Sequence, residues 1–160
     1  MPTLFERIVS GEIPCHKVWE SAEHLAFLDI NPRVEGHTLL IPKRPVDYLF
    51  DLSDAETAAL WIAAKGVAQL LQKKLACRRV CVSVIGWEVP HCHIHLLPTN
   101  SIVDFKFPPV DSAAQARLSA TAKRLAKAGA VVVVCGRSAV DLPDGIHFMA
   151  CDVRDADAVK

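Results

Sequence analysis

Three histidines at alternate positions, His91, His93 and His95, constrain this chain more than any other feature. They stand in the segment Glu88-Val89-Pro90-His91-Cys92-His93-Ile94-His95-Leu96-Leu97, where the residues between and after them are apolar. Along a strand, side chains at i, i+2 and i+4 line one face, with like-facing neighbours roughly 6.5–7 Å apart. The pattern predicts a strand that shows the three imidazoles on one face and buries Cys92, Ile94 and Leu96 in a core. Neutral imidazole, with an unperturbed pKa of about 6.5, is a competent nucleophile at cellular pH. Attack on a phosphate would leave a labile phosphoramidate for water to hydrolyse. A second imidazole could hold a phosphoryl oxygen, and a third could fix the tautomer of its neighbours. Two other readings compete. His-x-His on a strand also suits Zn²⁺, with Cys15, His16, His24 or His37 as a further ligand, and the row could be a solvated strand face. Three imidazoles in a row beside the glycine-bearing loop at Gly86 weigh against the last.

Composition narrows the classes further. The chain has 160 residues, enough for one domain with a real core. Its formal net charge is zero and 51% of its residues are hydrophobic, so it offers no electrostatic grip for nucleic acid or a membrane surface. No apolar run approaches the roughly 18 residues of a membrane span, and the N-terminus lacks a signal-peptide pattern. A cytoplasmic protein is expected. Its six cysteines form no C-x-x-C pair and sit mostly in apolar stretches, which predicts reduced, buried thiols.

Thr3 to Glu6 reads as a capping box that opens a short helix with Leu4, Phe5 and Ile8 as its apolar stripe and Gly11 as its stop. Short strands are predicted at 15–19 and 24–29, joined by a hairpin at Ser21-Ala22. After a turn-rich loop at Asn31-Pro32 and Glu35-Gly36, a third strand runs from His37 to Ile41. Ser53 to Glu56 is a second capping box. The long helix it opens, to about Ala76, would bury Ala59, Leu60, Ile62, Ala63, Val67, Leu70 and Leu71. A strand from Val80 to Ile85 precedes Gly86 and the histidine strand. Residues 105–109 read as an extended loop, and a last helix should run from Ser112 to near Gly129.

With these elements in order, the chain resembles the histidine-triad (HIT) family. The motif His-φ-His-φ-His-φ-φ, with φ apolar, is matched at all seven positions by His91, Cys92, His93, Ile94, His95, Leu96 and Leu97. The opening helix, Glu12-Ile13-Pro14, Phe27-Leu28-Asp29-Ile30-Asn31-Pro32 and Gly36-His37-Thr38-Leu39-Leu40-Ile41-Pro42-Lys43 are also similar to the family's. The resemblance covers roughly residues 1–128 and implies an α+β fold: an antiparallel sheet of about five strands with the long helix packed on it. It implies an enzyme, a nucleotide hydrolase or transferase acting at the α-phosphate of purine nucleotide conjugates, either a nucleoside phosphoramidate or a dinucleoside polyphosphate. The alternatives are a nucleotide-binding module with little turnover and a metal-binding histidine strand.

The family's roles carry over by position. His93 would be the nucleophile that forms a nucleotidyl-histidine intermediate, His95 would contact the α-phosphate, His91 would support the site, and His37 would orient the triad. Asp29 would accept hydrogen bonds from the ribose hydroxyls. Phe5, Ile8, Phe27 and Ile30 would enclose the base, with Leu39 near it. Gly86, Glu88 and Val89 would form the loop over the phosphate. Trp87 stands where many members have glutamine. Glu88 stands where a serine often helps protonate the leaving group, a task that suits a carboxyl only if its pKa is raised. Ser83 is the candidate for the place of the usual asparagine near the ribose. The early cysteine pair that binds zinc in some members is absent, since Thr3 to Glu6 contains none. No metal and no cofactor are therefore expected. The resemblance also implies a homodimer through the helix from Ser53 and an adjoining strand.

From about Arg124 the chain resembles a different family. Leu125 to Arg137, followed by Cys151-Asp152-Val153, looks like the second and third strands of a short-chain dehydrogenase, which would set Arg137 and Asp152 near a dinucleotide. The glycine-rich phosphate loop and the catalytic tyrosine and lysine are missing, so the fragment is no dehydrogenase by itself. Residues 129–160 are read as a β-containing, chimera-like extension. The valine run 131–134 is expected to be paired, because unpaired it would invite aggregation.

Overall fold

The computed structural model describes residues 2–105, 111–128, 132–136 and 146–150. The chain forms two compact units, residues 1–107 and 108–160. In the first, helix α1 (Leu4–Val9) leads into strands β1 (Lys17–Glu20), β2 (His24–Leu28) and β3 (Thr38–Pro42). Helix α2 (Asp54–Leu75) follows, then β4 (Arg79–Ser83) and β5 (Ile94–Thr99). The strands form one sheet in the order β1-β2-β3-β5-β4, antiparallel at every pair. The α+β class, the five strands and the long helix are thus as expected.

Both capping boxes close. The Thr3 side chain accepts the Glu6 N–H while Glu6 reaches back to the Thr3 N–H, and Ser53 and Glu56 repeat the arrangement at α2. Strand alternation then divides the sheet into two faces. On one, Ala26, Leu40, Ile94 and Leu96 pack with Leu60, Ala64, Val67 and Leu71 of α2. On the other, Leu25, Phe27, Leu39 and Ile41 pack with Phe5 of α1, and Ile8 lies against them.

Two sequence expectations about α2 and β5 need correction. Ile62 is 72% exposed, because two residues along a helix is a rotation of about 200° from buried Leu60. Ala64, one turn after Leu60, takes the inward place. The histidine strand also starts late, at Ile94. The His91 N–H donates to the Val89 carbonyl and the Cys92 N–H to the Val46 carbonyl. The ladder with β3 therefore reaches only as far as Ile94, opposite Leu40. The alternation survives, since Cys92, Ile94 and Leu96 all enter the α2-side core.

The second unit contains α3 (Ser112–Ala116), α4 (Leu118–Lys127), β6 (Val132–Gly136) and β7 (Ile146–Ala150). The single helix expected from Ser112 is interrupted at Arg117, whose N–H bonds the Ala114 carbonyl three residues back and tightens the turn. β6 and β7 pair in parallel, Val132 opposite Ile146. The valine run is therefore paired where it is described. Most of the loop expected at 105–109, the helix end at Gly129, and Arg137 and Asp152 lie outside the described residues. Among the described residues, no helix is long and apolar enough to cross a membrane.

Candidate active site

The four histidines His37, His91, His93 and His95 gather where β3, β5 and the segment before β5 meet the first turn of α1. Their hydrogen bonds assign each ring's proton. His91 is wholly buried. Its Nε2 lies 2.8 Å from the Pro42 carbonyl oxygen, which can only accept, so Nε2 carries the proton. The bare Nδ1 faces the Thr3 hydroxyl at 3.2 Å, which donates to it. His93 Nδ1 lies 2.6 Å from the carbonyl oxygen of His91. It must donate, and the lone pair is left on Nε2. His37 Nδ1 accepts the Arg33 N–H at 3.3 Å, so its proton sits on Nε2, 3.0 Å from His95 Nδ1. His95 accepts there and keeps its own proton on Nε2. One ring thus ends in a free lone pair and its neighbour in a free N–H, with ring centroids 4.9 Å apart.

Burial favours the neutral form of three of these rings, His37, His91 and His95. Burial pushes His95 down to about 4, and the neighbouring His93 and His37 add to the shift. Burial likewise lowers His91, against the opposing Pro42 bond. It lowers His37 against the pull of Asp29. Burial raises the Cys92 thiol to about 11, which makes it a core residue and no rival nucleophile. Cys15, Cys77, Cys81 and Cys92 are free thiols.

Asp29 follows β2 directly. Its Oδ1 accepts the Asn31 N–H at 2.8 Å, which forms the turn. Its Oδ2 lies 3.5 Å from His37 Nδ1. With His37 neutral, that contact is no ion pair, and the carboxylate keeps acceptor capacity toward a concavity of about 450 Å³ that Arg33, Val34 and His37 also line. Asp29 is thus a turn former and a candidate ligand at once.

The other candidate residues divide. Phe5 meets His91, His93 and Phe27 edge-on, at centroid distances of 5.8, 5.2 and 5.5 Å. Leu39, Ile8 and Val89 pack into the same cluster. Ser83 pairs with His95 across β4 and β5. Gly86 has φ +73°, the left-handed turn that favours glycine. Ile30, 85% exposed, stands outside the apolar cluster. Glu88 and Trp87 are exposed in the same loop. Sequence reasoning passed over Thr3, the Pro42 carbonyl and the Arg33 N–H. Only Thr3 left a trace, as a helix cap. Asp29, His37 and His95 could each offer one ligand atom to a metal ion, with those atoms within 4.8 Å of one another. Of the further ligands expected from sequence, His37 is in that group and Cys15, His16 and His24 are not.

The HIT domain family model matches residues 10–102. A nitrilase and fragile histidine triad fusion protein of Caenorhabditis elegans is 42% identical over 95 residues. That match spans 56% of this chain and only 22% of the fusion protein. An adenosine 5′-monophosphoramidase of Schizosaccharomyces pombe is 35% identical over 99 residues, 61% of this chain and 74% of that one. A crystal structure of a HIT family protein from Bacillus anthracis superposes with a TM-score of 0.64 at 26% identity, covering 78% of this chain and 95% of that one.

Proposed function

The chain belongs to the HIT domain family, and on that premise we propose that it cleaves purine nucleotide conjugates at the α-phosphate through His93. The observation that carries the reading is the pairing of a free lone pair with a free N–H. His93 Nε2 is left bare by the bond from Nδ1 to the His91 carbonyl, and His95 Nε2 keeps its proton through the bond with His37.

In the first step His93 Nε2 attacks the α-phosphorus. A P–N bond forms, the bond to the leaving group breaks, and the leaving group departs with the electron pair and takes a proton. Glu88 is the candidate donor of that proton. The His95 N–H holds a non-bridging oxygen as charge grows on it, the kind of fixed donor that stabilises a transition state without reorganising. Water then attacks the same phosphorus and passes a proton to the Glu88 carboxylate, the P–N bond breaks, and His93 Nε2 recovers its lone pair. Asp29 accepts from the ribose hydroxyls. Phe5, Ile8, Phe27, Ile30 and Leu39 surround the base, and Ser83, Gly86 and Val89 border the sugar and phosphate.

The S. pombe relative favours a nucleoside phosphoramidate as the first substrate to try, with dinucleoside polyphosphates second. The first 128 residues carry this reading, and residues 129–160 are an extension to it. The protein works as a cytoplasmic homodimer through α2 and an adjoining strand, where Trp61, Ile62 and Val82 are exposed apolar residues. The test is AMP release from adenosine 5′-phosphoramidate. His93→Ala should lose roughly 1,000-fold or more in turnover while still binding AMP. AMP bound by the wild type without any release from the phosphoramidate would leave a nucleotide-binding module. A second reading, a metal held by Asp29, His37 and His95, rests on their converging donors. Stoichiometric metal by elemental analysis, with turnover lost to a chelator, would establish that reading in place of the first.

A further inference from the structure

The N-cap of α1 does more than a helix requires. Thr3 is held at both ends by one residue: its N–H donates to the Glu6 carboxylate at 2.6 Å, and its hydroxyl accepts the Glu6 N–H at 3.1 Å. Those two bonds complete the cap. The hydroxyl still has its own proton, and it stands 3.2 Å from His91 Nδ1, a residue 88 positions away. The same helix turn sets Phe5 edge-on to both His91 and His93. His91 in turn offers its carbonyl to His93 Nδ1. A continuous line of contacts therefore runs from Thr3 through His91 to the ring proposed to attack phosphorus.

We propose that Thr3 is a positioning residue for His93, acting through His91. Its hydroxyl donates to His91 Nδ1 and so fixes the tautomer and orientation of a ring whose carbonyl in turn orients the nucleophile. The inference rests on the reading of His93 given above. The Thr3 hydroxyl does two separable jobs. Capping a helix needs an acceptor, and serine, threonine and aspartate all supply one. Donating to a bare imidazole nitrogen needs an O–H, which an aspartate carboxylate lacks. With no donor, His91 Nδ1 would be a buried acceptor without a partner, and the ring would be free to turn or to take up a second proton beside the new carboxylate. Every buried side-chain nitrogen and oxygen among the described residues has a hydrogen-bond partner, so the loss of this one would not be absorbed by a neighbour already free to help.

The two jobs separate by mutation. Thr3→Ser keeps both, Thr3→Asp keeps the cap and removes the donor, and Thr3→Val removes both. Thr3→Ser should stay within about twofold of wild type. Thr3→Asp should unfold at nearly the wild-type temperature yet lose about 10- to 100-fold in kcat with KM little changed, the size of loss that a small misplacement of a reacting group produces. Thr3→Val should lose both kcat and thermal stability. ¹⁵N NMR of the histidine rings gives a second readout: His91 should be neutral with its proton on Nε2 in the wild type, and should gain a proton on Nδ1 in Thr3→Asp. If Thr3→Asp matches wild type in kcat, or if activity across the three variants merely follows thermal stability, Thr3 is only a cap and the proposal falls. If the wild type releases no AMP, the functional reading fails, and the NMR comparison alone decides. An unchanged His91 ring in Thr3→Asp would then overturn the proposal.

Discussion

His95 is an imidazole that stays neutral well below the pH at which free imidazole titrates, because burial and two neighbouring rings push it down to about 4. That has a consequence for stability. In the unfolded chain His95, His91 and His37 take up a proton as pH falls through about 6.5, and in the folded chain all three titrate lower. The unfolded state therefore binds more protons across that window, and stability falls as pH drops. From His95 alone, the contribution present above pH 6.5 should be lost progressively toward pH 4, on the order of 3 kcal/mol. Urea unfolding from pH 7.5 to 4.5 should show the slope, and His95→Gln should flatten it. The presence of these rings was legible in the sequence, since alternation alone selects His91, His93 and His95. Their unequal roles came only through the family resemblance, and the proton positions beneath them depend on the Pro42 and His91 carbonyls and the Arg33 N–H, main-chain groups that only the fold brings near a ring.

At the scale of elements, the sequence is most readable where a local rule acts. The boxes at Thr3–Glu6 and Ser53–Glu56 are local, and both form. Ser53→Ala should cost about 1 kcal/mol, seen as a fall in denaturation midpoint with turnover preserved, since α2 packs on the sheet face opposite Phe5 and the apolar residues beside it. Leu60→Ala, at the centre of that buried stripe, should cost about 2–5 kcal/mol. Ile62→Ala, at the same helix but outward, should cost little in a monomer. Apolar character alone does not distinguish these two positions; the 100° turn per residue does, and it sets Ile62 outward. Gly36 is another element-scale constraint. It has φ +76°, and a Cβ there would collide with Leu75 and press on Pro98. Gly36→Ala should lower stability by about 1 kcal/mol or more. Because Gly36 precedes His37, it should also weaken turnover beyond what the stability loss explains. Where no local rule acted, the reading failed. Nothing in residues 112–128 announced the break at Arg117, and the late start of β5 follows from where the His91 and Cys92 amides happen to find carbonyls.

At the scale of the molecule, the family's fold was readable from the order of motifs, and the described residues of the first unit form five antiparallel strands with one long helix. The dimer proposal rests on the exposed apolar residues Trp61 and Ile62 of α2 and Val82 of β4. Sedimentation should give twice the chain mass, and Ile62→Glu should shift it to the monomer while leaving the sheet intact. A wild-type monomer at micromolar concentration would rule out that interface. The parallel pair β6 and β7 stands in a unit of its own, and truncation after residue 107 should leave turnover within a few-fold if the first unit holds all the machinery. The central claim is that His93 becomes covalently bonded to the nucleotide. Rapid mixing with adenosine 5′-phosphoramidate, a base quench that spares the P–N bond, and peptide mass spectrometry test it directly. The account predicts an adenylyl group on the peptide carrying His93, formed before AMP appears and absent in His93→Ala. AMP released at full rate with no adduct at any time, or an adduct on His95, would contradict it.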